Sequence, residues 1–311
     1  MKLKKLLSVI IAAGMLFTSS AFAYSDYEDT DDTRILSALG IMSGYDDGTF
    51  LPDGNLTRSE AVKILVYLYG RNVMAENMTK TLAEGKTPVE LQASVNAFEY
   101  TDIDTKHWAY GYWYYAVNLG IINGYGDETL HPEENVTYSQ FLKMTVALLG
   151  YTSLAENMGE YPQGFVDYAK VLSLTSDIEF DPSAPVLRKD AAKIIGKALN
   201  VPLRIVTGID AQWGGEAKYT YEICDGKGGR QYLTLIENLG YARANADVRQ
   251  IIGDTATIKI SSNRFLDDKR YPSDNVKEIT VPVGDFSLRR NKTYTMLIQE
   301  TDDGYEIKYI Y

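Results

Sequence analysis

The sequence predicts a multidomain α plus β protein, with three helical repeats followed by an all-β unit that is a small barrel or sandwich, an OB-like fold among the options. Three observations carry this. The stretch GYDDGTFLPDGNLTRSE, Gly44 to Glu60, returns as GYGDETLHPEENVTYSQ from Gly124 to Gln140. The likeness extends on both sides, LSALGIMSGY against AVNLGIINGY upstream and AVKILVYLYG against FLKMTVALLG downstream. From Arg204 onward helical spacing gives way to short alternating runs, among them AKYTYEIC, RQYLTLIEN, TATIKIS, TYTMLIQ and YEIKYIY, which read as strands joined by turns such as DGKGG and DDG.

Each copy reads as helix, loop, helix. In the second copy Trp108, Tyr112, Tyr115 and Leu119 share one face of a helix by spacing, and that face is assigned to the core. Gly40 and Gly120 sit where a left-handed residue ends a helix, each followed by an isoleucine suited to a Schellman stop. The loop then leads to Thr57 and Glu60, spaced as a capping box, with Thr137 and Gln140 in the same places of the second copy. Ala61, Ile64, Leu65 and Leu68 continue as a buried stripe, as do Phe141, Met144 and Leu148. A third, more degenerate copy runs FVDYAKVLSL to EFDPSAPVLRKDAAKIIGKAL, aligning Arg188 with Arg58 and Lys193 with Lys63 and Lys143.

The resulting division is 1–23, 24–70, 71–97, 98–150, 151–203 and 204–311. The first segment has Lys2, Lys4 and Lys5, an apolar run from Leu6 to Phe17, and a small-x-small site at Ala21 to Ala23, the pattern of a secretory signal peptide. No later stretch has the eighteen or so apolar residues of a membrane span. The segment 71–97 is an insertion, with helical character expected in MAENMTKTLAEG and PVELQASVNA. The lone Cys224 excludes an internal disulfide and reads as a small buried residue.

Charge excludes some partners. Residues 24–203 carry 13 basic and 26 acidic side chains, whereas 204–311 carry 15 and 16. An acidic chain lacks the basic face that nucleic acid requires. The two histidines, His107 and His131, have no second metal-type ligand at useful spacing, and the Asp46–Asp47 loop lacks the alternation of an EF-hand, so no metal and no cofactor is expected. Neither histidine falls in the strand region and no nucleophile motif occurs, so the reading is of a protein that is not an enzyme.

The repeated combination of aromatic-x-Asp, HWA, LGIINGYGD, a proline and a Thr-Arg-x-Glu-like box behind a signal peptide resembles the S-layer homology domain, here as three repeats followed by a small β domain. The GEYPQGF stretch is similar to the third-repeat entry of clostridial, Firmicutes-type members. The resemblance implies a three-lobed helical prism, a pseudo-trimer, that binds a peptidoglycan-linked secondary cell wall polymer noncovalently on the Gram-positive surface. It also implies polymer contact by Arg58 and Arg188, a guanidinium meeting an acidic, often pyruvylated, sugar at a helix start. Trp108, Asp102, Gly44 and Gly124 are the other groove positions that the resemblance carries over, while Thr57, Glu60, Thr137 and Gln140 belong to capping. The second copy departs from the pattern with Tyr138 in place of Arg, and the third with Leu187 in place of the capping Thr. The expected function is therefore an exported protein held on the wall and presenting its β domain. The alternatives are a structural S-layer component or a small enzyme acting on wall glycan.

Overall fold

A computed structural model describes residues 24–86, 98–210, 218–227, 232–263 and 278–311. The signal-peptide segment 1–23 and the PVELQASVNA segment, 88–97, lie outside the described residues. The helices are α1 (Asp31–Ala38), α2 (Arg58–Leu68), α3 (Asn72–Ala83), α4 (Tyr110–Asn118), α5 (Tyr138–Leu148), α6 (Thr152–Met158), α7 (Gln163–Val171), α8 (Arg188–Ala198) and α9 (Leu235–Asn238). The strands are β1 (Arg204–Asp210), β2 (Lys218–Ile223), β3 (Tyr241–Ile252), β4 (Thr255–Asn263), β5 (Glu278–Pro282), β6 (Thr293–Thr301) and β7 (Gly304–Ile310).

The helical copies are tied together by backbone as well as by core. Leu56 N–H donates to the Val186 carbonyl (3.2 Å), Val186 N–H to Val136 (2.9 Å) and Val136 N–H to Leu56 (2.9 Å), closing a ring of three hydrogen bonds. All three side chains are buried at its centre. Immediately after this ring each copy starts a helix, and the first N–H groups of that helix find carbonyls in the loop of another copy. Arg58 and Ser59 donate to Glu134 and Pro132, Tyr138 and Ser139 to Ala184 and Pro182, and Arg188 and Lys189 to Gly54 and Pro52. Donors that a helix N-terminus ordinarily leaves unpaired are thus satisfied inside the protein.

Two expectations need correction. Trp108 lies outside α4, and the buried residues of that helix are Tyr110, Gly111, Tyr112, Trp113 and Ala116. The reason is that α4 packs against both α2 and α3, so it buries more than one face. Close approach to α3 is possible because a Cβ at Gly111 would come within 2.1 Å of the Ala75 carbonyl. The same device joins α6 to α7, where Gly164 faces the Ala155 carbonyl. Both partner alanines begin the tetrapeptide AENM, 75–78 and 155–158, so α3 and α6 share this sequence as well as the glycine contact.

The second correction concerns RQYLTLIEN, whose described part contains α9 instead of a strand. Thr234 and Glu237 form a capping box, and Leu235 and Ile236 turn into the helical core. Beyond it, β3 to β7 form an antiparallel sheet of order β5-β4-β3-β6-β7, while β1 and β2 make a separate ribbon. One face of the sheet encloses a second core of Ala246, Val248, Ile258, Val281, Met296 and Ile298. Leu297 and Tyr309 point the other way and join the core of the helices. Both α and β regions therefore share an apolar contact that burial of these side chains stabilises.

Candidate functional site: a cationic groove between copies

The first-turn residues of α2, α5 and α8 occupy equivalent places, each beneath the loop of another copy. Arg58 is 3% exposed, and its Nε donates to the Leu130 carbonyl at 2.8 Å. Its guanidinium lies 4.8 Å from the ring centre of Tyr125 and 5.7 Å from that of Trp113. Arg188 repeats this on the first copy's loop, with Nε donating to Phe50 O (2.9 Å), Nη2 to Ser43 O (3.1 Å), and Tyr45 at 4.9 Å. Tyr138, at the third such place, stacks on Phe180 and donates its hydroxyl to Asp190. Burial, reinforced by Asp190, holds the Tyr138 phenol well above the usual tyrosine range.

Arg58 opens on a groove of about 200 Å³ formed with Ile121 to Tyr125 of the neighbouring loop, Gln140, Lys143 and Met144 of α5, and Tyr161. Among the described residues no carboxylate lies within ion-pair distance of Arg58, and desolvation lowers its affinity for the proton. Glu134 and Asp102 act on it only from beyond ion-pair distance; a buried cation without a direct partner is costly, and an anion entering the groove would offset that cost. Two tyrosines flank the entrance, Tyr125 and Tyr161, each about half exposed.

The other predicted residues fall elsewhere or serve the fold. Both Asp102 oxygens are engaged by backbone, accepting from Leu130 N–H (2.9 Å) and His131 N–H (2.6 Å). Asp26 does the same for Phe50 and Leu51 in the first copy. These carboxylates hold His131 and Leu51 in a left-handed conformation, with φ of 52° and 54°, and so set the carbonyls that receive the arginine Nε atoms. Gly124 lines the groove, but the protein itself excludes a side chain there: a Cβ would stand 2.6 Å from the Thr129 carbonyl and from the Tyr100 ring. Gly44 meets Thr49 and Tyr24 in the same way. Thr57 with Glu60 and Thr137 with Gln140 make both bonds of their capping boxes, while Leu187 offers α8 no side-chain cap.

Trp108 is exposed and is absent from the lining of the Arg58 groove. It precedes α4 by two residues as Tyr161 precedes α7, and the aromatic four positions on lies under a lysine in both cases. Lys63 is 5.9 Å from Tyr112, and Lys143 is 5.8 Å from Phe165. Sequence reasoning does not single out Lys143 or Tyr161 as site residues, although the recurrence of Lys63, Lys143 and Lys193 is a signal that could have found the first.

The profile of the S-layer homology domain matches residues 34–62 and 99–142. This chain carries S-layer homology domain sequence in those two stretches. Its relatives include a middle cell wall protein of Brevibacillus brevis, 25% identical over 65% of this chain and 18% of that protein. A cellulosome-anchoring protein of Acetivibrio thermocellus is 24% identical over 51% of this chain and 35% of its own length. An endoglucanase of a Bacillus species is 27% identical over 58% of this chain and 19% of its own. The chain thus spans at most about a third of these relatives, and S-layer homology sequence is what it can share with proteins so differently named.

Proposed function

We propose that this protein is held noncovalently on the cell surface of a Gram-positive bacterium, its helical copies binding an acidic secondary cell wall polymer and its β region presented outward. In this reading residues 1–23 direct export. Three copies form a three-lobed prism around the Leu56, Val136 and Val186 ring, with α3 assigned to the first copy, and a barrel-like domain begins near residue 204. The observation that carries the reading is Arg58, buried at a groove without a carboxylate partner. Arg188 holds the equivalent place on the first copy's loop, where the spacing of Lys63 and Tyr112 assigns Trp108 as a sugar-stacking surface of a second binding position. The Tyr138 position carries no cation and is closed by its bond to Asp190. The role is anchoring rather than catalysis, in keeping with the name of the cellulosome-anchoring relative.

Cosedimentation with purified sacculi tests this, before and after the polymer is stripped. The mature chain is expected to pellet with intact walls and stay in solution with stripped ones. An Arg58→Ala/Arg188→Ala double variant should lose pelleting while keeping its helical circular dichroism. Equal pelleting with both kinds of wall would sink the proposal.

A further inference from the structure

We infer that Lys143 is a second ligand-facing cation of the Arg58 groove, making it a two-cation site that selects carboxylate-bearing segments of the polymer, whereas the Arg188 groove is less selective for charge. The inference rests on the polymer-binding reading and adds a specificity-determining residue to it. Four observations lead there. Lys143 lines the same cavity as Arg58. Its ammonium is 5.1 Å from the centre of the Tyr161 ring and 5.8 Å from that of Phe165, which holds the side chain along the groove wall, and it is half-buried there. Among the described residues it makes no ion pair. Finally, none of the residues that line the cavity is acidic, because the capping partner at this place is Gln140, whose amide uses Oε1 for the Thr137 N–H and Nε2 for the Tyr125 hydroxyl.

The corresponding residues of the first copy differ in ways that weaken the field. Glu60 stands where Gln140 does, and Lys63, the counterpart of Lys143, is exposed. Glu134 and Asp102 act on Arg58 from outside the lining, so one groove faces its ligand with two positive charges and no acidic lining residue, the other with a carboxylate at the place of Gln140. Two cations in a partly desolvated groove attract an anion more strongly than one, and a nearby carboxylate subtracts from that attraction.

The test uses the mature full chain and polymer released from sacculi, offered as isolated and after reduction of its carboxyl groups to alcohols. Lys143→Gln should weaken binding of the native polymer about fivefold at low ionic strength, a single partly screened charge contact, and leave binding of the reduced polymer unchanged. The difference should shrink as salt is added. Gln140→Glu, which imports the Glu60 charge, should act in the same direction, and Lys143→Arg should restore most of the loss. If Lys143→Gln weakens native and reduced polymer alike, the lysine is structural and the inference is overturned. If Arg58→Ala abolishes binding but Lys143→Gln leaves the native polymer untouched, the inference fails while polymer binding stands. A wild-type chain that binds neither polymer overturns the polymer reading and this inference with it.

Discussion

Arg58 and Tyr138 hold the same place in two copies, and their surroundings show how one scaffold can carry opposite chemistry. Both follow a ring residue, both donate their backbone N–H to another copy's loop, and both start a helix capped by threonine. Only the side chains differ in what they meet. Arg58 keeps a buried charge facing a groove, whereas Tyr138 spends its hydroxyl on Asp190. Asp190 stands three residues after Leu187, at the place that Glu60 and Gln140 hold in their copies, and accepts from the tyrosine. The tyrosine that replaces the arginine in one copy thus meets the third residue of the helix in the next. The backbone ring and the helix starts form without the arginine at the Tyr138 position, which separates the arginine's contribution from that of the fold.

Substitutions at five residues probe the difference between the two positions. The largest effect is expected from Asp102→Ala, which strands two backbone donors and releases His131 from its left-handed conformation; about 3 kcal/mol should be lost in urea unfolding. Since Leu130 O is what holds Arg58, this variant should also bind wall polymer more weakly than its residual fold explains.

Tyr138→Phe leaves Asp190 buried without its donor and should cost about 1–3 kcal/mol by the same measurement. Because the folded protein raises the Tyr138 phenol above its unfolded value, the stability it contributes is complete below about pH 10 and declines as pH rises through the folded value. The variant should therefore flatten the alkaline limb of the stability profile.

Thr57→Ala and Thr137→Ala each remove the side-chain half of a capping box, and a drop of about 1 kcal/mol apiece should appear as a lowered thermal midpoint. The two should match, since the boxes are equivalent; a much larger loss at Thr57 would mean that Arg58 depends on its cap. The smallest change in stability belongs to Arg58→Met. Replacing a buried cation that makes no ion pair by an apolar chain of similar length should alter the unfolding free energy by less than about 1 kcal/mol, in either direction. Wall binding should nevertheless fall, and a strongly destabilised Met variant would show that the guanidinium serves the fold instead.

How far these features can be read in advance varies with the kind of residue. Gly40 and Gly120 do end their helices in a left-handed conformation, with the N–H of Ile41 and Ile121 reaching back five residues, because such stops depend on a few consecutive residues. The same holds for Thr57 with Glu60. The face of α4 is not legible in its spacing, because spacing describes a helix with one buried side and α4 is covered on two. The shared AENM tetrapeptide of α3 and α6 is legible in the sequence, whereas the glycine that each packs against is not. At the site, Arg58 stands out in the sequence as a residue absent from one copy and kept in another. Lys143 does not, since lysine at its position occurs in all three copies and nothing local distinguishes the half-buried one from the exposed Lys63.

Local chemistry is enough to settle where helices begin and stop, that two copies carry an arginine and one a tyrosine, and that a β region follows. These depend on contacts within a turn or two of chain, and so they are written in neighbouring residues. Which loop each arginine enters, whether it finds a carboxylate there, and that Asp190 closes the third position depend on residues more than fifty positions apart. Those contacts exist because the three copies close on one another through the Leu56, Val136 and Val186 ring, and a ring of three partners has no signature in any one of them.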